Sequence, residues 1–156
     1  MKMNVNKKLF CKRGFTLIEL LIVIAIIGII LAISAFGLTG ARESSRDAKR
    51  KADLETIRGG LELYRSDCNS YPATLPSPGN PLIGTSGTGA CLTTNKYIEA
   101  MPGDPITGSR LYAYLPSGSP SSSYTLCAAL EGTTTAVSGC GSCGLNMTCS
   151  YKVTNP

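Results

Sequence analysis

Lys12-Arg13-Gly14-Phe15-Thr16-Leu17-Ile18-Glu19 opens a run of Leu, Ile, Val and Ala that continues to Leu38, and the reading of this stretch decides the rest. Glu19 is its one strongly polar member. At about 1.5 Å per residue, a helix from Phe15 to Leu38 is long enough to cross roughly 30 Å of hydrocarbon. The run exceeds the apolar part of a secretory signal and lacks a small-x-small cleavage site at its far end, so it is expected to span and to stay. Lys2, Lys7, Lys8, Lys12 and Arg13 precede it and account for the whole formal charge of +5. Bases before a span mark the cytoplasmic side. The basic balance therefore points to a membrane and not to nucleic acid, with the N-terminus inside and the remainder outside.

Seven cysteines are many for 156 residues. Cys11 precedes the span, whereas Cys68, Cys91, Cys127, Cys140, Cys143 and Cys149 follow it. An even set confined to the distal part predicts disulfides in an oxidising space, with Cys11 reduced on the other side. Cys68 and Cys91 flank a long loop and are the favoured pair; the other four admit three pairings. Cys140-Gly141-Ser142-Cys143 has redox or metal spacing, but it lies in a glycine-rich loop of a chain without histidine, so it reads as structural disulfide chemistry. The missing histidine removes the commonest general base and metal ligand. No nucleophile with an adjacent base can be assembled, so no catalytic residue, cofactor or metal site is expected.

The length leaves room for one small head besides the anchor. From Arg42 to Asp67 charges of both signs alternate with Leu54, Ile57, Leu61 and Tyr64, which recur three or four apart and share one helical face. No proline interrupts Phe15 to Tyr71, so the spanning helix can run on into this amphipathic half as one rod of roughly 80 Å. Glycines 28, 37, 40, 59 and 60 weaken it, and Gly37 to Gly40 is the expected place of bending or melting. Tyr71-Pro72 should end the helix, and Pro72 to Thr94 reads as a surface loop. Leu111 to Leu115, Tyr124 to Leu130 and Cys149 to Val153 read as strands of an antiparallel sheet, with a Gly/Thr stretch from Gly132 to Gly144 joining the last two. The fold class is α+β: a long helix whose apolar stripe is covered by one face of that sheet. The organisation is 1–14 leader, 15–38 spanning helix, 39–71 amphipathic half and 72–156 head.

The segment from Lys12 to Glu19 with the apolar run behind it resembles the prepilin signature of type IV pilins and type II secretion pseudopilins. The resemblance implies that a prepilin peptidase cleaves between Gly14 and Phe15 and methylates the new amine of Phe15. It further implies a homo-oligomeric helical filament assembled from the cytoplasmic membrane by an inner-membrane platform and its ATPase, together with minor pilins. The residues support the same picture physically. A carboxylate in a spanning helix costs about 2.5–3.5 kcal/mol, and a cationic amine at Phe15, about one turn from Glu19, would neutralise it in the same chain or the next. Glu19 and Phe15 are thus the expected docking pair, and Gly14 lets a peptidase approach the backbone.

Asp53 to Tyr64, Asp67 to Pro72 and Tyr97 to Pro105 followed by Tyr112 and Tyr114 look like the major pseudopilin of type II secretion. The chain also departs from that pattern. Many members have a proline where Phe36 stands, which leaves Gly37 to supply flexibility. Major pseudopilins carry an acid-rich calcium loop near the C-terminus, but after Asp104 this chain has Glu131 as its only acid, too few oxygens for a calcium cage. Pseudopilin heads are also poor in cysteine, which favours a surface pilus subunit here. The expected function is therefore a structural subunit of a type IV pilus-like filament; the alternatives are a major pseudopilin in protein export and a monomeric membrane-tethered binding module. Arg46 to Lys51, with acids interleaved, reads as a solvated or intersubunit helix face, not a DNA site. Tyr112, Tyr114, Tyr124 and Tyr151 read as sheet packing, and the sequon Asn146-Met147-Thr148 as chance.

Overall fold

A computed structural model describes residues 14–106 and 108–155, and of residues 35–38 the backbone only. The leader bases and Cys11 lie outside the described residues. One helix, α1, covers Leu17–Cys68 and five short strands follow: β1 Leu82–Ile83, β2 Lys96–Ile98, β3 Ala113–Ser117, β4 Ser123–Ala128 and β5 Tyr151–Thr154. The chain divides into two compact units, one ending at Thr39 and the other beginning at Gly40. The backbone of α1 is helical through Gly37 and Gly40.

In the second unit the α+β class is realised by two small antiparallel sheets. β1 pairs with β2, and β3, β4 and β5 form a meander with β4 in the centre. Successive side chains of a strand point to opposite faces. In β4 and the residue after it this gives two cores: Tyr124, Leu126 and Ala128 join Leu54, Ile57, Leu61 and Tyr64 of α1, while Cys127 and the following Ala129 join Cys140, Cys143 and Cys149. The helical stripe is almost inaccessible, from 0% to 3% exposed, as its spacing predicts. Burial on both faces explains why the sequence from Tyr124 onward is nearly continuously apolar rather than alternating.

The second core is built largely of sulfur. Disulfides join Cys68 to Cys91, Cys127 to Cys140 and Cys143 to Cys149, closing loops with sequence separations of 23, 13 and 6. On loop-entropy grounds these are worth about 3.4, about 3 and about 2 kcal/mol respectively. The two members of the Cys140/Cys143 pair therefore bond elsewhere and not to each other. The long connection from β4 to β5 has few apolar side chains, and the two disulfides supply the covering that it cannot.

Three expectations need correction. The helix ends at Cys68 and not at Tyr71-Pro72: Asn69 takes φ 59°, and its N–H donates to the carbonyl of Arg65 at 2.8 Å, an αL cap that the short polar Asn side chain tolerates. The stretch Pro72 to Thr94 is not a bare loop, since it carries β1, and Cys91 fastens it to the helix end. Gly60 is not merely a weak helical position. A Cβ there would lie 2.2 Å from Cγ1 of Ile98, so the missing side chain is what lets β2 lie against α1.

Candidate functional site

The N-terminal junction is described from Gly14 onward. Gly14, Phe15 and Thr16 are not helical, and α1 starts at Leu17. Thr16 caps it: its hydroxyl accepts the N–H of Glu19 at 3.3 Å, and its carbonyl accepts the N–H of Leu20 at 3.2 Å. Thr16-Leu17-Ile18-Glu19 has the form of a capping box, which places the carboxylate in the first turn, where the helix dipole favours it. Phe15 is 84% exposed and a Cβ on Gly14 would meet nothing. The Gly14–Phe15 bond is thus open, non-helical backbone directly before a capped helix. The capping role of Thr16 was missed at the sequence level, although the spacing from Thr16 to Glu19 is its signal.

From Leu17 to Ser34 the mean hydropathy is 3.0 and no residue is buried. This helix is long and apolar enough to cross a membrane, with Glu19 exposed among the large aliphatic side chains. Among the described residues of its own unit it makes no core.

The amphipathic half of α1 is occupied very differently. Its carboxylates accept hydrogen bonds from the head, each from a distinct place. Tyr112 donates its hydroxyl to Asp53 at 2.7 Å, Tyr124 and Tyr71 donate to Glu62 at 3.0 and 2.9 Å, and Tyr97 donates to Asp67 at 3.0 Å. Burial raises the hydroxyl pKa of Tyr112 and of Tyr124, and the carboxylate that each bonds raises it further. The tyrosines are packing residues, as expected, but their polar ends also tie sheet to helix.

Arg46 to Lys51 is neither a free patch nor a wholly solvated face. The side chain of Arg50 is fully buried and makes a two-pronged bond to Asp104 at 2.7 and 3.0 Å. Its Nη1 also reaches Asp47 and Glu131, each at 2.7 Å. Arg46 makes a second two-pronged contact to Glu131. Asp47 in turn accepts the backbone N–H groups of Glu131 and Gly132 at 2.9 Å. The Arg46 guanidinium, against some opposing desolvation and with help from Arg50, lowers the carboxyl pKa of Glu131 to about 2. Burial alone would raise the pKa of Asp47, but the two backbone amides and Arg50 outweigh it and the net direction is down. Interleaved charge signs suggested solvation because the sequence cannot reveal that Asp104 and Glu131 fold back onto this turn.

The donor set does not suit a metal. The sulfurs of Cys127, Cys140 and Cys149 lie within 4.8 Å of one another, but all three are in disulfides and offer no thiolate. For the calcium that the resemblance brings to mind, the carboxylates of Asp104 and Glu131 are already turned onto guanidinium groups.

Taken together, the capped apolar helix behind Gly14–Phe15 and the small disulfide-bonded α+β head define a pilin-like class, and the chain is similar to type IV pilins and type II secretion pseudopilins. A family model described as the prokaryotic N-terminal methylation motif matches residues 9–35. Among curated relatives, the type II secretion system core protein G of Escherichia coli K12 is 30% identical over 96 residues, 60% of this chain and 66% of that protein. The protein of the same name from Vibrio cholerae is 29% identical over 119 residues, 72% and 76% of the two chains. That from Pectobacterium carotovorum is 35% identical over 63 residues, 40% of each. The chain thus spans less than two thirds of the E. coli and Pectobacterium relatives. No solved structure matches. Members of this family are structural subunits, and the chain is not an enzyme.

Proposed function

We propose that this chain is the major pseudopilin of a type II secretion system, a subunit that polymerises into a short periplasmic filament serving protein export. The observation that carries the reading is an exposed apolar helix beginning at a capped Thr16 directly after Gly14–Phe15, in a chain whose relatives bear the name core protein G. In this reading the prepilin peptidase removes the leader up to Gly14 and methylates Phe15. The free amine then meets Glu19 of the same or the neighbouring chain, setting the axial register as helices 15–38 pack side by side. Gly37 and Gly40 provide a flexible point in place of the proline that others carry. The membrane holds the subunit before assembly, and the platform, its ATPase and minor subunits act on it there.

A second reading, a surface pilus subunit, is favoured by the six distal cysteines, now paired in three bridges. The relatives weigh against it. Deleting the gene and comparing exported proteins and surface fibres separates the two: loss of export with no change in long fibres is expected, and intact export with lost fibres reverses the assignment. Mass spectrometry of the isolated assemblies should find chains that begin at methylated Phe15. A monomeric tether would give no ladder of crosslinked chains in native membranes.

A further inference from the structure

Three carboxylates from separate parts of the chain, Asp47 on α1, Asp104 before β3 and Glu131 after β4, converge on one buried guanidinium. Their side chains are themselves little exposed, at 12%, 2% and 12%. Such a convergence needs a cation, because desolvated carboxylates without one repel each other and lose their water. Arg50 fills the centre, Arg46 covers the outer edge of Glu131, and the backbone N–H groups of Glu131, Gly132 and Ile106 take further lone pairs. Among the described residues, no buried side-chain nitrogen or oxygen lacks a partner. The planar guanidinium suits this task better than a point charge, since it bonds Asp104 with two prongs and still reaches two more carboxylates.

We infer that Arg50 is the head's built-in counter-cation, fastening the segments at Asp104 and Glu131 to α1 so that the head folds and remains folded without a divalent metal. The arrangement concerns the head alone and holds for either kind of filament. It differs from an acid-rich metal loop in its wiring: the positive charge comes from the helix, and the acids are spread over three segments.

Thermal unfolding of the full chain in detergent tests it. The wild type should melt at the same temperature in excess chelator and in millimolar calcium; a melting temperature that falls on chelation overturns the inference. Arg50→Met should lower the melting temperature by roughly 10 °C or more, because it strands buried carboxylates. Adding Asp104→Asn to Arg50→Met should restore part of that loss, and a double variant less stable than the single one counts against the inference. Should Arg50→Met not fold, Arg50→Lys keeps the charge and loses the fork: it should melt below the wild type and stay indifferent to chelator, and a chelator-sensitive Arg50→Lys again overturns the inference.

Discussion

In Leu17–Ser34 no residue is buried, whereas thirty residues further along the same helix Leu54, Ile57 and Leu61 are at most 1% exposed. The two halves differ in what completes them. Past Gly40 the stripe, the carboxylates and even Gly60 find partners within the chain: Leu126 and Val153 for the stripe, tyrosine hydroxyls for Asp53, Glu62 and Asp67, and Ile98 for the glycine. Before it, among the described residues, the apolar side chains of Leu17–Ser34 and the one acid, Glu19, are all exposed and find no core in their own unit. Lipid or other copies of the chain must supply one. A residue's effect should therefore depend on which half it occupies, with assembly failing in one and folding in the other.

The sharpest break is Glu19→Ala. If the acid docks against the amine of Phe15, this variant should insert into membranes, lose its leader and form almost no filaments, while its head melts at the wild-type temperature. Electron microscopy with a thermal melt of the detergent-solubilised subunit reads both. Abundant filaments from Glu19→Ala would leave the docking pair without a function.

Leu61→Ala is the counterpart. Leu61 is wholly buried between α1 and the sheet, and truncating it should cost about 2–5 kcal/mol from lost transfer energy and the cavity left behind. The melting temperature should fall, leaving insertion and leader removal unchanged. A stable head with defective leader processing would mean that the halves are not independent in the way proposed.

How much of this could be read in advance follows the same division. The N-terminal half was legible because its properties are local: a run of apolar residues, one acid, a glycine before an aromatic residue. The stripe Leu54, Ile57, Leu61 and Tyr64 was legible for the same reason, since helical spacing is a property of neighbours. What remained hidden depends on distant segments. Nothing near Arg50 announces Asp104 and Glu131, 54 and 81 residues away. Nothing near Cys140 shows that it bonds Cys127 and not Cys143. The two-residue β1 has no periodicity to detect, and its position follows from Gly60, Ile98 and the bridge at Cys91.

The smallest expected effect distinguishes two parts within the head by pH. Glu131 has a folded pKa of about 2, below its ordinary value of 4.5. Its contribution to stability is complete above about pH 4.5 and is lost as pH falls toward 2, because the unfolded chain takes up the proton first. Tyr112 shifts the other way: its folded pKa lies above the ordinary 10, so its contribution is complete below pH 10 and is lost as pH rises further, when the unfolded chain gives up its proton first. The charged clamp near Arg50 should therefore fail in acid and the tyrosine layer in alkali. Melts of Glu131→Gln should show a flatter decline between pH 5 and pH 2 than the wild type, with the alkaline limb unchanged. Tyr112→Phe should lower the melting temperature only slightly at neutral pH, at a cost of about 1 kcal/mol for the hydrogen bond, and should flatten only the alkaline limb. If Glu131→Gln altered the alkaline limb as much as the acid one, the two sets of contacts would be a single cooperative network, and the separation of charge clamp from tyrosine layer would have to be given up.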